Sequence, residues 1–189
     1  GAFDLAVNGG GPLTVDYQLD GYLPAQRAVE APWADFASLP DVVLIQFDSA
    51  VTAIDLTAPG MQTARGNPVT DADGTRQATL LVPPGTGAEL VLPNGSTQPL
   101  TTLDVRATEY TVGDTGPKAM PAALPPSSGY TYAVELSVDQ AVAAGASEVR
   151  FSQPLPVYLE NFIAAPVGSA PGDRPGPWNP TVRGSRRTG

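Results

Sequence analysis

The chain has 189 residues and a formal net charge of −9, and it contains neither cysteine nor histidine. The lack of cysteine excludes disulfides and thiolate metal sites, and the lack of histidine excludes Ser-His-Asp triads and zincin-type sites. Catalysis would have to rest on carboxylates, Lys118, Tyr or Ser, so we predict a protein that is not an enzyme.

The composition is typical of many short strands separated by turns. The chain contains 20 Gly and 21 Pro, and 42% of its residues are hydrophobic, which is enough for a packed core. Charged residues make up 15%, below the roughly 25% of an average globular protein. We therefore predict a mainly β fold, and the length allows one large domain or two small ones.

The charge is distributed unevenly along the chain. Four of the ten basic residues follow the last acidic residue, Asp173: Arg174, Arg183, Arg186 and Arg187. Residues 1–173 carry six basic and 19 acidic side chains, a net charge of −13. A body this acidic repels phosphate backbones, so we expect no nucleic-acid partner.

The chain has no apolar run of 18 residues, so we predict no membrane insertion. It starts abruptly in a strand-like segment and shows no signal peptide, which suggests an excerpt of a longer protein.

Residues 1–29 predict three short strands joined by turns. Alternating apolar residues predict a strand over residues 2–7 and another over residues 13–17, and a third follows Asp20-Gly21. Residues 1–5, the glycine turn and residues 20–24 resemble the closing half of a carboxypeptidase-regulatory, transthyretin-like sandwich. This resemblance implies a partial β module that must pack on the rest of the chain or on a partner.

Residues 30–60 predict a connector followed by a buried strand. The connector contains Trp33 and Phe36, and the continuous apolar run over residues 42–47 suits a strand buried on both faces. Residues 51–57 alternate as in a half-buried strand. Trp33 is a candidate sugar-stacking platform, although burial between two sheets is the interpretation that its size favours.

Residues 69–98 predict a meander of strands and tight turns. Asp73-Gly74 and Asn94-Gly95 are hairpin signals, and Pro83-Pro84-Gly85 is interpreted as a third hairpin connection. Asp71 and Asp73 have the Asp-x-Asp-Gly form of a calcium loop, but the twelfth position is Val82, which cannot bind calcium. A turn is therefore the default, with a single Ca²⁺ contact as the alternative, and no other cofactor is predicted.

Residues 100–165 predict further strands and one helix. Strands are expected over residues 100–105, 107–112, 130–136, 149–151 and 155–162. Arg106 and Glu109 are expected to be cross-strand partners, and residues 114–129 an extended, proline-rich loop. A helix near residues 138–144 would be capped by Ser137 or Asp139 and ended by Gly145. The tail, residues 166–189, is expected to be disordered.

Residues 30–165 carry several phrases that resemble the region ahead of the repeats in bacterial RHS/YD-repeat-associated surface or toxin proteins. The phrases are residues 41–45, 70–80, 108–112, 129–137, 151–154 and 160–162. Residues 82–86 and 129–137 also resemble ZU-type β-sandwiches. These resemblances imply two small antiparallel β-sandwich modules, a partial one over residues 1–29 and a ZU-like one over residues 30–165, secreted or on a bacterial cell surface.

The sequence leaves three functions open. A non-catalytic scaffold that positions neighbouring domains of its parent chain fits the composition and the resemblances best. A module that binds a glycan or a protein surface ligand would use exposed aromatic residues, for which the candidates are Trp33, Tyr110, Tyr130, Tyr132 and Trp178. A hydrolase would need paired carboxylates, such as Asp71 and Asp73 or Glu135 and Asp139, facing each other across a cleft.

Overall fold

The computed structural model describes residues 2–123, 132–160 and 162. The prediction of a mainly β, antiparallel fold is confirmed, because the described residues form small antiparallel sheets with little helix. The chain divides into two compact units. Unit 1 is residues 1–47 and 110–133, and unit 2 is residues 48–109 and 134–189. Tyr130 and the tail from residue 166 lie outside the described residues.

Unit 1 is built on one β-hairpin. Strand β1 (Gly11–Tyr17) pairs antiparallel with β2 (Ala25–Ala31), and Leu13 lies opposite Val29. Burial alternates along both strands, as expected when one face of a hairpin packs on other groups. A 3₁₀ turn (Gly113–Thr115) and the single-turn helix α1 (Gly116–Ala119) belong to the second segment of this unit.

The core of unit 1 is small. Leu23, Tyr110 and Met120 are buried together, and a few partly buried apolar residues pack around them. Arg27 is also buried, and its guanidinium donates hydrogen bonds to the carbonyl oxygens of Gln26, Met120 and Lys118 at 2.6, 3.0 and 2.9 Å. Because carbonyl oxygens at a helix end lack donors within the helix, Arg27 satisfies the end of α1.

Unit 2 contains the remaining strands. In chain order they are β3 (Thr52–Asp55), β4 (Gln62–Arg65), β5 (Val69–Asp71), β6 (Gly74–Arg76), β7 (Ala78–Val82), β8 (Ala88–Val91), β9 (Thr97–Leu100), β10 (Thr102–Glu109), β11 (Val134–Val138), β12 (Glu148–Phe151) and β13 (Val157–Leu159), with helix α2 (Asp139–Ala144) between β11 and β12. Three sheets have three strands each, in the orders β11-β10-β3, β12-β8-β9 and β13-β7-β4, and β5 and β6 form a separate hairpin.

The core of unit 2 is larger and is supplied by inward-facing residues of these sheets. Its members come from central strands, such as β7 and β10, and from edge strands, such as β3 and β4. Leu103, on β10, has no exposed surface. Further core residues are Ile54, Ala64, Leu80, Val82, Ala88, Val105, Val138 and Leu155. Helix α2 confirms the prediction near residues 138–144, and Gly145 ends it in the left-handed conformation, with φ of 59°.

Two predicted strands are absent from the part of the chain that the structure describes. Residues 2–7 form no strand, and Phe3, Leu5 and Val7 are exposed. Residues 42–47 are mostly half-buried and make a single bridge, from Gln46 to Tyr22. Both predictions were wrong because apolar periodicity favours extended chain, whereas a strand also needs a hydrogen-bonding neighbour along its length.

Two predicted contacts within the meander were also wrong. Strands β7 and β8 belong to different sheets, so Pro83-Pro84-Gly85 crosses between sheets and is no hairpin connection. Arg106 and Glu109 both lie on the single strand β10 and therefore cannot be cross-strand partners. Arg106 instead pairs with Asp139, while Glu109 pairs with Arg76.

The loop and cap predictions need correction as well. The segment expected to be an extended proline-rich loop begins with helical turns, which residues 113–119 can form because Pro is tolerated in the first turn of a helix. Helix α2 has Val138 at its N-cap, without a side-chain cap. Asp139 does not cap it because its carboxylate is bound by Arg106, at 2.7 and 2.8 Å. The domain boundary after residue 29 stays a prediction, and the compact units divide elsewhere.

Candidate functional site

An open groove lies on unit 1 beside the end of β2. Its walls are the glycine turn before β1, the last residues of β2 and the segment that follows them, and its volume is about 660 Å³. The lining side chains are mostly apolar, including Pro32, Trp33 and Phe36, and Glu30 is the one charged residue among those that line it. This aromatic groove is the strongest candidate site in the described part of unit 1.

The glycine turn fixes the position of Trp33. The Gly10 backbone N–H donates to the Ala31 carbonyl oxygen at 2.6 Å, which ties the turn to the end of β2. Gly10 has φ of 100°, and a Cβ atom at this position would overlap the indole ring of Trp33. Only glycine therefore fits both the backbone conformation and the close approach of the ring.

A sharp turn brings Phe36 to the same groove. Ala34 has φ of 53°, a left-handed conformation that is uncommon for a residue with a side chain. The backbone N–H of Phe36 donates to Asp35 Oδ1 at 2.8 Å, which stabilises the turned chain. Trp33 and Phe36 consequently both line the groove although they lie three residues apart.

Trp33 is exposed, which contradicts the expected burial between two sheets. The exposed fraction is 78% for Trp33 and 94% for Phe36. The expectation failed because unit 1 has a two-stranded sheet and a small core among its described residues, so no second sheet covers the indole. Exposed aromatic rings are one of the features that ligand binding uses.

The other aromatic candidates do not line the groove with Trp33. Tyr110 is 4% exposed and belongs to the core of unit 1. Tyr132 is half-buried, and Tyr130 lies outside the described residues. Neither Tyr110 nor Tyr132 is among the groove residues. The second aromatic side chain that lines the groove is instead Phe36, which lies near Trp33 in the predicted connector.

Asp71 and Asp73, the candidate calcium ligands, lie at the β5–β6 hairpin. Both oxygens of Asp71 accept hydrogen bonds from the guanidinium of Arg76, at 2.7 and 2.8 Å, and Oδ1 also accepts the Asp73 backbone N–H at 2.9 Å. Asp73 is exposed. Among the described residues no group of three or more acidic side chains is placed to hold a metal ion. A cation at Asp71 would have to displace a guanidinium from its bidentate pairing.

Arg76 is the charged residue that the sequence reasoning missed. It is 1% exposed, and its guanidinium bonds to Glu109 at 2.6 Å as well as to Asp71. The Asp71 carboxylate raises the pKa of Arg76 above its ordinary value, and Glu109 adds to this effect against the opposing cost of burial. The guanidinium also lies 4.8 Å from the ring centroid of Phe162. Glu109 is 33 residues away along the chain, so no local pattern could have identified this cluster.

The fold and the site together define a mainly β protein with small antiparallel sheets and an exposed aromatic groove on its first unit. No helix in the described residues is both long and apolar enough to cross a membrane.

The family model of the teneurin TTR-like domain matches residues 1–44, which include β1, β2 and the aromatic groove. This match supports the transthyretin-like resemblance and suggests a structural or interaction module; it gives no support for the RHS/YD-repeat resemblance. No curated protein and no solved structure matches the chain.

Proposed function

We propose that the chain is a non-catalytic interaction module of a large secreted or cell-surface protein, of the kind that carries RHS/YD repeats, and that unit 1 docks a neighbouring part of its parent. The match to a transthyretin-like domain type supports a structural or interaction role. The lack of His and Cys and the acidic, low-charge composition agree with a role that needs no catalytic site.

One observation carries the proposal, namely the concentration of exposed apolar side chains in the first 36 residues. Among the described residues, most of the exposed large hydrophobic side chains belong to this segment: Phe3, Leu5, Val7, Leu19, Trp33 and Phe36. Single exposed apolar residues are ordinary, but a concentration of them marks an interaction surface. The unpaired residues 2–7 also leave backbone groups free to pair with an added strand.

The test compares the 189-residue chain with a longer polypeptide that includes its natural flanking sequence. Replacing Leu5 and Val7 together by Ser is expected to lower the Tm of the longer polypeptide and to leave the Tm of the 189-residue chain almost unchanged. Phe3 is kept, because its ring packs edge-to-face on Tyr17. Replacing Val51 and Met61, which are exposed in unit 2, by Ser is the matched control. An equal fall in Tm for both lengths, or no fall for either, would contradict the docking proposal.

The exposure of Trp33 favours a second candidate function, the binding of a surface ligand in the aromatic groove. Aromatic rings stack on sugars and on other flat or cationic groups, and the groove presents two of them. A screen of the chain against a glycan array, with Trp33→Ala as control, tests the glycan version. Hits that Trp33→Ala abolishes would support it, and an array without hits would exclude the glycans on it.

A further inference from the structure

We infer that the ligand of the aromatic groove is a cationic group, and specifically the side chain of an arginine on a partner protein. This inference rests on the second candidate function, ligand binding in the groove. The groove combines an exposed indole, an exposed phenyl ring and one carboxylate, that of Glu30. The faces of aromatic rings attract cations, and tryptophan attracts them most strongly.

The charges around the groove favour a cation. The described residues of unit 1 contain seven acidic side chains: Asp4, Asp16, Asp20, Glu30, Asp35, Asp41 and Asp114. They contain two basic ones, of which Arg27 is buried against carbonyl oxygens and Lys118 is paired with Asp41 at 3.0 Å. Unit 1 therefore presents a negative surface, which attracts cationic partners and raises their rate of association.

Arginine fits the groove better than lysine does. Its planar guanidinium can stack on an aromatic ring while it donates two parallel hydrogen bonds to one carboxylate. Unit 2 shows the same combination in its interior, where the guanidinium of Arg76 lies over Phe162 and makes two bonds to Asp71. In unit 1 the ring and the carboxylate are present on the surface, and the partner would supply the guanidinium.

A neutral sugar fits the groove less well. Recognition of a sugar requires several hydrogen-bonding groups around the aromatic platform. Glu30 and Ser38 are the only groove residues with polar side chains, apart from the indole N–H of Trp33, which lies against Gly10. Because Gly10 holds the indole in place, the platform is formed before the ligand arrives, which lowers the entropic cost of binding.

The test uses the full chain carrying Trp178→Phe, which leaves Trp33 as the single tryptophan of the two. The probes are a blocked peptide with one arginine and the same peptide with citrulline, which has nearly the same shape but no charge. Trp33 fluorescence and the NMR shifts of the Trp33 indole and the Gly10 and Gly11 amides report binding. We expect the arginine peptide to bind about 3- to 30-fold more tightly than the citrulline peptide.

Two matched substitutions distinguish the effect of the groove carboxylate from the effect of the overall negative charge of unit 1. Glu30→Gln should lower the preference for arginine clearly, whereas Asp16→Asn, which removes an exposed charge on β1 outside the groove, should keep it within about twofold. Trp33→Ala should abolish the shifts of the Gly10 and Gly11 amides that the peptide causes, with the β1–β2 resonances remaining dispersed as evidence of folding.

Three results would overturn the inference. These are equal affinity for the arginine and citrulline peptides, identical effects of Glu30→Gln and Asp16→Asn, and shifts caused by a neutral oligosaccharide such as maltohexaose but not by the arginine peptide. In the last case the groove would still bind a ligand, so the second candidate function would stand and only the cationic class would fail. If neither the peptide nor the oligosaccharide shifts Trp33, both fail.

Discussion

Arg76 is the residue on which the β5–β6 hairpin depends. The strands are three residues long each, and their register places Val69 opposite Arg76. So short a hairpin is marginal in water. Arg76 fixes it by binding Asp71 within the hairpin and Glu109 on the long strand β10, with 1% of its own surface exposed. The two carboxylates compensate a buried charge that would otherwise be very costly.

Removing the Arg76 guanidinium should therefore destabilise the protein strongly. Arg76→Met keeps much of the side-chain volume but takes the guanidinium away from the carboxylates of Asp71 and Glu109. We therefore expect a loss of about 3–5 kcal/mol in the free energy of unfolding. Urea denaturation measures it. Arg150→Met is the control, because Arg150 bonds to Glu89 and Glu148 on the surface. Its removal should change the free energy of unfolding far less. Equal losses would show that burial of the Arg76 cluster has no energetic importance.

Trp33 shows why the groove could be predicted only in part. The sequence correctly indicated an aromatic connector after β2, and it offered both burial and ligand stacking for Trp33. The choice depended on whether a second sheet covers the indole, which is a property of the whole unit and not of the local sequence. The close approach of the ring to Gly10, 23 residues earlier in the chain, was equally unpredictable from the sequence. A glycine can stand in a turn for several reasons, and the sequence does not show which one applies.

At the scale of elements, the corner between β3 and β4 is held by side chains. Asp55 ends β3, and its Oδ1 accepts hydrogen bonds from the Thr57 hydroxyl at 2.7 Å and the Thr57 backbone N–H at 2.9 Å. The side-chain amide of Gln62 pairs with the backbone of Asp55, accepting from its N–H at 2.9 Å and donating to its carbonyl oxygen at 2.6 Å. Side chains thus supply hydrogen bonds where the two strands do not pair.

The Asp55 corner should make stability depend on pH. The Thr57 hydroxyl, and then the Thr57 backbone N–H, lower the pKa of Asp55 below its ordinary value. A carboxyl group with a lowered folded-state pKa stabilises the protein above its unfolded-state pKa and loses this contribution as the pH falls through the folded-state value. We therefore expect Asp55→Asn to lower Tm at a pH of about 6 and to lower it progressively less below a pH of about 4.

The difference in Tm between wild type and Asp55→Asn isolates this effect, because the other carboxyl groups titrate in both proteins. Asp20→Asn, which removes an exposed acid from unit 1, is the control for the loss of one negative charge. A difference for Asp55→Asn that stays constant from a pH of about 6 to about 2 would contradict the assignment of Thr57 as the cause.

The elements that were predicted correctly are those that local turns define. Asp73-Gly74 and Asn94-Gly95 join β5 to β6 and β8 to β9, because a tight turn and its two strands are specified by neighbouring residues. Three segments were predicted wrongly because their structure depends on partners far away in the chain, namely residues 2–7, residues 42–47 and the crossover at residues 83–85. Apolar alternation records which face of an extended segment is apolar, but it does not record which strand pairs with it.

At the scale of the whole molecule, the chain passes twice through each unit. It leaves unit 1 after Phe47, returns to it at Tyr110 and leaves again after Ala133. Among the residues that the structure describes, the two cores differ in size, since the cluster of unit 1 has three buried residues and that of unit 2 has nine. Because burial of apolar surface is the main favourable term in folding, the smaller core predicts the less stable unit.

Amide hydrogen exchange under native conditions should reveal this difference. We expect the amides of β1 and β2 to exchange at least about tenfold faster, after correction for intrinsic rates, than those of β7 and β10, which are paired on both sides around the larger core. Leu103→Ala should raise the exchange of β7 and β10, because it leaves a cavity at a fully buried position. If β1 and β2 respond to Leu103→Ala as strongly as β10 does, the two units unfold together and core size does not set their relative stability. A selective response of unit 2 would instead leave unit 1 as the part of the molecule that a docked partner stabilises most.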